Sequence, residues 1–156
     1  MLHDKTIIYI DMDRTLCNYD EGYRRHQQQH PGLEFPQSQP GLYINLKPIG
    51  GALDTYRWLH EHPRTAVFIL TSPSLKNPHC YSEKRLWVEE HLGMEIVGRL
   101  IITPHKDLNK GDYLIDDCDA GKGQERFEGE LIQFGSKAFP DWEAVKSFFE
   151  AQIGEY

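Results

Sequence analysis

The stretch Ile7-Ile8-Tyr9-Ile10-Asp11-Met12-Asp13-Arg14-Thr15-Leu16 limits the possible folds more than any other part of the chain. It opens as an unbroken β-branched and aromatic run. Such a run predicts a strand covered on both faces, as in a parallel sheet. It then stops in two carboxylates one residue apart, followed by the hydroxyl of Thr15. A buried parallel strand that ends in acids presents them at its carboxyl edge, where open α/β sheets bind ligands. Two carboxylates this close repel each other unless a proton or a cation intervenes. The spacing therefore asks for a hard cation such as Mg²⁺, for acid–base work, or for both. A strand followed by Asp-x-Asp is also a common turn, since Asp bonds its own backbone. The rest of the chain decides between the two.

Three later apolar runs end in chemistry of the same kind. Ala66-Val67-Phe68-Ile69-Leu70 stops in Thr71-Ser72. Leu100-Ile101-Ile102-Thr103 is followed closely by Lys106, and Tyr113-Leu114-Ile115 stops in Asp116-Asp117. Glu130 to Phe134 alternates, which suits an edge strand. Helical segments separate these runs. Leu53, Tyr56 and Leu59 recur at helical spacing between Gly51 and Glu61, and Trp142, Val145, Phe149 and Ile153 form a stripe after Asp141. Ser82 is expected to cap a helix reaching His91 or Leu92, with Leu86, Trp87 and Val88 on its apolar face and Gly93 just past its end. Lys84 and Arg85 would lie in its first turn, where cations oppose the helix dipole, and a nearby anion would remove that anomaly. Strands alternating with helices predict an α/β fold, a Rossmann-like three-layer sandwich with a mainly parallel sheet.

Asn18 to Lys47 interrupts this alternation. Asn18 to His30 is polar and able to form a helix, but Pro31, Pro36 and Pro40 forbid a long regular element afterwards. A segment of this length between a strand and the next helix is usually a functional lid. We read 18–47 as a small cap inserted after strand one of a single domain spanning 1–156, with Phe35, Leu42 and Tyr43 as its apolar contacts. A length of 156 residues suits one domain with a substantial core.

Charge and cysteines narrow the partners. A net charge of −7 argues against a nucleic acid polymer or an anionic membrane as partner. No apolar run approaches membrane-spanning length. Met1 to Lys5 runs directly into strand one, so no cleavable leader is expected. Cys17, Cys80 and Cys118 have no CxxC spacing, which fits reduced thiols in a cytoplasmic protein.

The four strand ends make a coherent phosphoryl-transfer set. Asp11 can attack phosphorus and form an aspartyl-phosphate. Asp13 can protonate the leaving alkoxide and then activate water, a role suited to a carboxyl whose pKa is raised by other carboxylates. Thr71 and Ser72 offer hydroxyls to phosphoryl oxygens. Lys106, with Lys84 as second candidate, supplies positive charge where negative charge develops. Asp116 and Asp117 complete a site for Mg²⁺.

This set resembles the haloacid dehalogenase (HAD) superfamily of phosphotransferases, with Asp11-Met12-Asp13-Arg14-Thr15-Leu16, Leu70-Thr71-Ser72, Lys106 and Ile115-Asp116-Asp117 as its four motifs. Leu46-Lys47-Pro48-Ile49-Gly50-Gly51-Ala52, Leu70 to Pro73, Tyr81-Ser82-Glu83-Lys84, Trp87-Val88, Leu92-Gly93 and Leu114 to Asp117 further resemble the 5′(3′)-deoxyribonucleotidases. The resemblance implies a HAD-like fold and an Mg²⁺-dependent hydrolysis of a small phosphate ester, a nucleoside monophosphate in that family, whose base is held by aromatic cap residues. It further implies Asp11 as nucleophile and Asp13 as general acid–base. Thr71 and Lys106 would bind phosphate. Asp11, the main-chain carbonyl of Asp13, and Asp116 or Asp117 would bind the metal. Two residues depart from the pattern, which commonly has glycine at Arg14 and arginine at Cys118, and the cap is short and lacks the expected tryptophans. The alternatives are a HAD phosphatase for another phosphate ester, a phospho-signalling module of the receiver type, and a HAD-like binding protein without activity.

Overall fold

The computed structural model describes residues 4–154. Met1 to His3, part of the stretch expected to carry no leader, lie outside the described residues. Five strands, β1 (Thr6–Ile10), β2 (Thr65–Thr71), β3 (Leu100–Ile102), β4 (Tyr113–Asp116) and β5 (Glu130–Gln133), form one sheet in the order β3-β2-β1-β4-β5. All four pairings are parallel. The helices are α1 (Tyr19–Gln29), α2 (Ala52–Glu61), α3 (Cys80–Leu92), the single turn α4 (Met94–Val97) and α5 (Trp142–Ile153). From β1 the chain winds outward through β2 to β3, then crosses back to lay β4 on the other side of β1. The strand order therefore reverses between β1 and β4, and a crevice opens there beyond the carboxyl ends. Ile10, the last residue of β1, pairs with both Ile69 and Ile115, so β4 ends one residue beyond it and β2 two, and the three carboxyl ends lie side by side.

The pleat divides the strand side chains between two cores. Ile8, Ile10, Val67, Ile69, Ile115 and Ile132 face a large core with Tyr56 and Leu59 of α2, Trp87 and Val88 of α3, and Trp142, Val145 and Phe149 of α5. Tyr9, Leu70 and Leu114 face the opposite side, where Phe127 is the buried residue contributed from outside the sheet. That layer is thin because Phe127 follows a 3₁₀ turn, Gln124–Arg126, rather than a long helix. β5 lies at the edge, as its alternation implied.

α3 starts two residues before the expected cap. His79 takes the N-cap position, and Ser82 lies inside the first turn, donating to the His79 carbonyl at 3.2 Å. The cause is Asn77, whose side-chain oxygen accepts from the His79 N–H at 2.9 Å and so makes the turn that starts the helix. Leu86 is 40% exposed and leaves the apolar face to Trp87 and Val88. α4 had no signal in the sequence, being too short for periodicity to register.

Segment 18–47 is tied to α3 and its approach through main-chain groups. Asn18 caps α1 by accepting from Glu21 N–H at 3.2 Å. Asn77 donates to the carbonyls of Gln37 and Gln39 at 2.9 and 3.2 Å, and Trp87 Nε1 donates to the Leu46 carbonyl at 2.7 Å. The buried Glu83 carboxylate accepts from Gly41 N–H and, at 3.0 Å, from Tyr43 N–H. Leu42, Tyr43 and Leu46 are buried beneath this strap, while Phe35 is partly buried with Lys76 Nζ 3.3 Å above its ring. Glu83→Ala leaves one buried and one part-buried N–H group without their charged acceptor. Urea unfolding should show a loss of about 3 kcal/mol. A loss below about 1 kcal/mol would mean that water replaces the carboxylate.

Candidate active site

The acids of the first motif sit in a tight loop. Asp11 is 6% exposed, and its N–H continues the ladder to the Ile115 carbonyl at 2.9 Å. The N–H groups of Thr15, Leu16 and Cys17 converge on the Met12 carbonyl at 3.1, 2.8 and 2.8 Å. Trp142 Nε1 closes the loop from outside by donating to the Thr15 carbonyl at 2.9 Å. The α5 stripe is therefore core packing, with one indole N–H supporting the site loop.

Two buried lysines hold the acids. Lys106 Nζ donates to Asp11 Oδ1 at 2.8 Å and to Asp116 Oδ2. Lys84 Nζ donates to Asp13 Oδ2 at 2.9 Å, Thr71 Oγ1 at 2.6 Å and the Ser72 carbonyl at 2.7 Å. Because α3 starts at Cys80, Lys84 lies in its second turn and not in the first as expected; it is sealed in the protein, and the anion that answers it is Asp13. Thr15 Oγ1 lies 3.5 Å from Asp11 Oδ2 and 3.4 Å from Asp117 Oδ1. Gln124 Nε2 reaches Asp116 Oδ2 at 3.3 Å, and the Cys118 N–H donates to Asp116 Oδ1 at 2.9 Å.

A cleft of about 140 Å³ lies at the strand reversal, lined by Asp11, Asp13, Ser72, Lys106, Asp116 and Asp117 together with Arg14, Cys118, Lys122 and Gln124. Thr71 and Lys84, both expected at phosphate, stand behind this wall, and their polar heads bond to each other. Gln124 and Lys122 escaped the sequence reading because they follow no strand. The glycines around them, Gly121 and Gly123, were the available sign of a shaped loop, and both have φ near +90°. A larger cavity, about 440 Å³, lies between α1 and Gly41 and includes none of the acids.

The electrostatics leave this cleft short of positive charge. Burial, then the neighbouring Asp11 and Asp116, pushes Asp117 up to about 7. Burial and Asp11 raise Asp116 to about 6, against the opposing pull of Lys106. Burial also raises Asp13, and Lys84 limits the rise. Lys106 is raised, its desolvation outweighed by Asp11 and Asp116. Asp11 and Asp116 thus share one ammonium, and Asp117 is crowded against them without a cation of its own at contact distance among the described residues. Asp13 Oδ1 is buried with no hydrogen-bond partner. An all-oxygen donor set with surplus negative charge fits a hard divalent ion such as Mg²⁺. Cys118 Sγ lies within 4.8 Å of ligand atoms of Asp116 and Asp117, but burial and then the adjacent acids push its thiol up to about 11, so it stays protonated and unsuited to a hard ion.

The pH dependence follows in sign. The folded protein keeps protons on Asp116 and Asp117 that the unfolded chain releases near 3.8, so these two acids cost stability as pH rises toward 6 and 7. A divalent cation competes with those protons. The rise in Tm caused by Mg²⁺ should therefore be small at about pH 5 and large at about pH 8. An equal rise at both would contradict the crowded-acid picture.

Among known proteins, the profile of the family described as 5′ nucleotidase, deoxy (pyrimidine), cytosolic type C protein matches residues 26–152. A provisionally named 5′(3′)-deoxyribonucleotidase of Vibrio phage KVP40 is 37% identical over 153 residues, covering 96% of this chain and 87% of its own. The human 5′(3′)-deoxyribonucleotidase, cytosolic type, is 37% identical over 147 residues, covering 76% of this chain and 73% of its own. The crystal structure of a HAD family hydrolase from Deinococcus radiodurans R1, with bound phosphate and sodium, superposes with a TM-score of 0.54 at 14% identity. It covers 93% of this chain and 88% of that one, a likeness of fold.

Proposed function

Since this chain belongs to the cytosolic type C 5′ nucleotidase, deoxy (pyrimidine), family within the HAD hydrolases, we propose that it releases phosphate from nucleoside monophosphates through a phosphoryl-aspartate on Asp11. It is a phosphoric monoester hydrolase. The observation that carries the covalent route is the pair of carboxylates two positions apart in different settings. Asp11 is clamped by Lys106 beside Asp116, whereas Asp13 is held by Lys84, keeps one oxygen unpartnered and has a raised pKa. Paired acids in unlike environments divide into nucleophile and proton carrier.

The chemistry is then as follows. An Asp11 oxygen forms a bond to phosphorus as the bond from phosphorus to the ester oxygen breaks. Protonated Asp13 gives its proton to the departing 5′ or 3′ oxygen. The same carboxylate next takes a proton from a water that attacks phosphorus and frees Asp11, leaving inorganic phosphate. Lys106 and Ser72 contact the phosphoryl oxygens from the cleft wall, and Lys106 offsets the charge that builds on them. Thr71 and Lys84 act one step back and hold Asp13 in place. Asp11, the Asp13 carbonyl and Asp116 or Asp117 would hold Mg²⁺, which when bound would supply the positive charge that an anionic phosphate needs beside an anionic nucleophile.

Segment 18–47 serves as a cap, with the partly buried Tyr19 ring, which lies under the Arg14 guanidinium, on the side of the nucleoside and the buried Tyr43 ring packed behind it. A cytoplasmic location suits the three free cysteines, and no helix among the described residues is long and apolar enough to cross a membrane. Phosphate release should be followed across deoxynucleoside monophosphates and sugar phosphates, with Mg²⁺ and with EDTA. Turnover of nucleotides that stops in EDTA supports the reading. Preference for sugar phosphates would move the substrate class, and turnover undiminished by EDTA would remove the metal.

A further inference from the structure

Arg14 is the one residue other than glycine, among those described, with a left-handed backbone, at φ 63°. An L-residue is strained there, because its Cβ crowds the following carbonyl. The turn itself demands this backbone. Arg14 N–H donates to the Cys17 carbonyl at 2.8 Å while the next three N–H groups converge on Met12. Glycine would make the same turn without strain, so the backbone gives no reason for an arginine at this position.

The side chain does give one. Arg14 lines the cleft of the four acids. Its Nε donates to Asp20 Oδ1 at 2.8 Å, and its Cζ lies 4.8 Å from the centroid of the Tyr19 ring. The guanidinium is thereby anchored and stacked, yet the side chain remains 48% exposed. Its two terminal nitrogens make no hydrogen bond among the described residues, though the guanidinium feels the charge of Asp117. The other cations near the acids are differently placed: Lys84 and Lys106 spend their ammonium groups on Asp13, Asp11 and Asp116, and Lys122, which also lines the cleft, carries a point charge with no planar face to stack. A cleft of about 140 Å³ is also small beside the roughly 300–1,000 Å³ of sites that enclose a whole ligand. The phosphoryl group fills it, and the rest of the ester must project past the rim where Arg14 stands.

We propose that Arg14 is a specificity-determining residue that reads the planar leaving group. The open face of its guanidinium stacks on the nucleobase, and its free terminal nitrogens donate to an acceptor on the base edge. This rests on the nucleotidase reading above and names the residue that would select the nucleoside.

The test compares wild type with Arg14→Gly on a deoxynucleoside monophosphate and on glycerol phosphate, which lacks a planar group. The ratio of kcat/KM for the nucleotide to that for glycerol phosphate should fall about tenfold, mostly through KM, while Tm stays level or rises as the strained turn relaxes. Asp20→Asn, which weakens the anchor without removing the guanidinium, should shift the ratio in the same direction by less. Equal losses on both esters would place Arg14 on the phosphoryl group and overturn the proposal, as would an unchanged ratio. Calorimetric titration of wild type and Arg14→Gly with the unphosphorylated deoxynucleoside gives an independent reading. Weaker affinity in the variant supports the proposal and equal affinity overturns it, whether or not the wild type hydrolyses phosphate esters. A wild type that turns over neither ester would defeat the phosphatase reading itself.

Discussion

Asp11→Asn is expected to lower kcat by at least about 10⁴-fold while leaving the protein folded with a Tm close to wild type. The loss is large because an amide cannot form the covalent intermediate, and removing one member of a catalytic set costs nearly as much as removing the set. Stability is spared for an electrostatic reason. Asp11 and Asp116 share the Lys106 ammonium, Asp117 is crowded against those two acids, and the charge of Asp11 helps to raise both of the others. Neutralising Asp11 gives up one ion pair but removes two repulsions, and Lys106 keeps Asp116 as partner. Steady-state phosphate release and a thermal melt check both halves. A stable, active Asp11→Asn would transfer the nucleophile elsewhere. An unfolded one would mean that the Lys106 pair outweighs the crowding.

Lys106→Met should fail in the opposite way. Lys106 is 2% exposed and bonds two carboxylates that are themselves buried. Its methionine replacement fills the space but leaves both acids without their cation. Breaking a buried pair from one side costs about 3–5 kcal/mol, which for a chain of this length lowers Tm by on the order of 10 °C. The kcat should fall by about 10²–10³-fold as well, since the positive charge facing the phosphoryl group is gone. Added Mg²⁺ should recover part of the lost stability, because it neutralises the same carboxylates. A fall of less than about 3 °C would show that the lysine is a minor contributor to the charge balance.

The sheet was legible in the sequence because its strands are buried on both faces. Unbroken apolar runs such as Ala66 to Leu70 carry a signal that no neighbour has to complete. The same runs placed Asp11, Thr71 and Asp116 at neighbouring carboxyl ends, since parallel strands share a direction. What the sequence could not give was the partner of each side chain. Lys84 reads on a helix as a cation that opposes the dipole and asks for an anion, but only the folded chain shows that the anion is Asp13, with Thr71 beside it. Glu83 beside it looks like a solvated residue, yet it holds the backbone of Gly41 and Tyr43, some forty positions away. Gln124 and Lys122 enter the cleft from a loop with no periodicity. The start of α3 was misplaced because Ser82 matches a local capping rule, whereas the turn is made by Asn77, whose own fixation depends on the distant carbonyls of Gln37 and Gln39.

The central claim is that Asp11 carries the phosphoryl group between substrate and water. It is tested most directly by quenching the enzyme in acid during turnover of a deoxynucleoside monophosphate and mapping the modified peptide by mass spectrometry. A hydroxylamine-labile phosphoryl adduct on the peptide containing Asp11, accumulating in Asp13→Asn and absent from Asp11→Asn, is the predicted result. Turnover with no adduct on Asp11 under any quench, or an adduct on another residue, would contradict it.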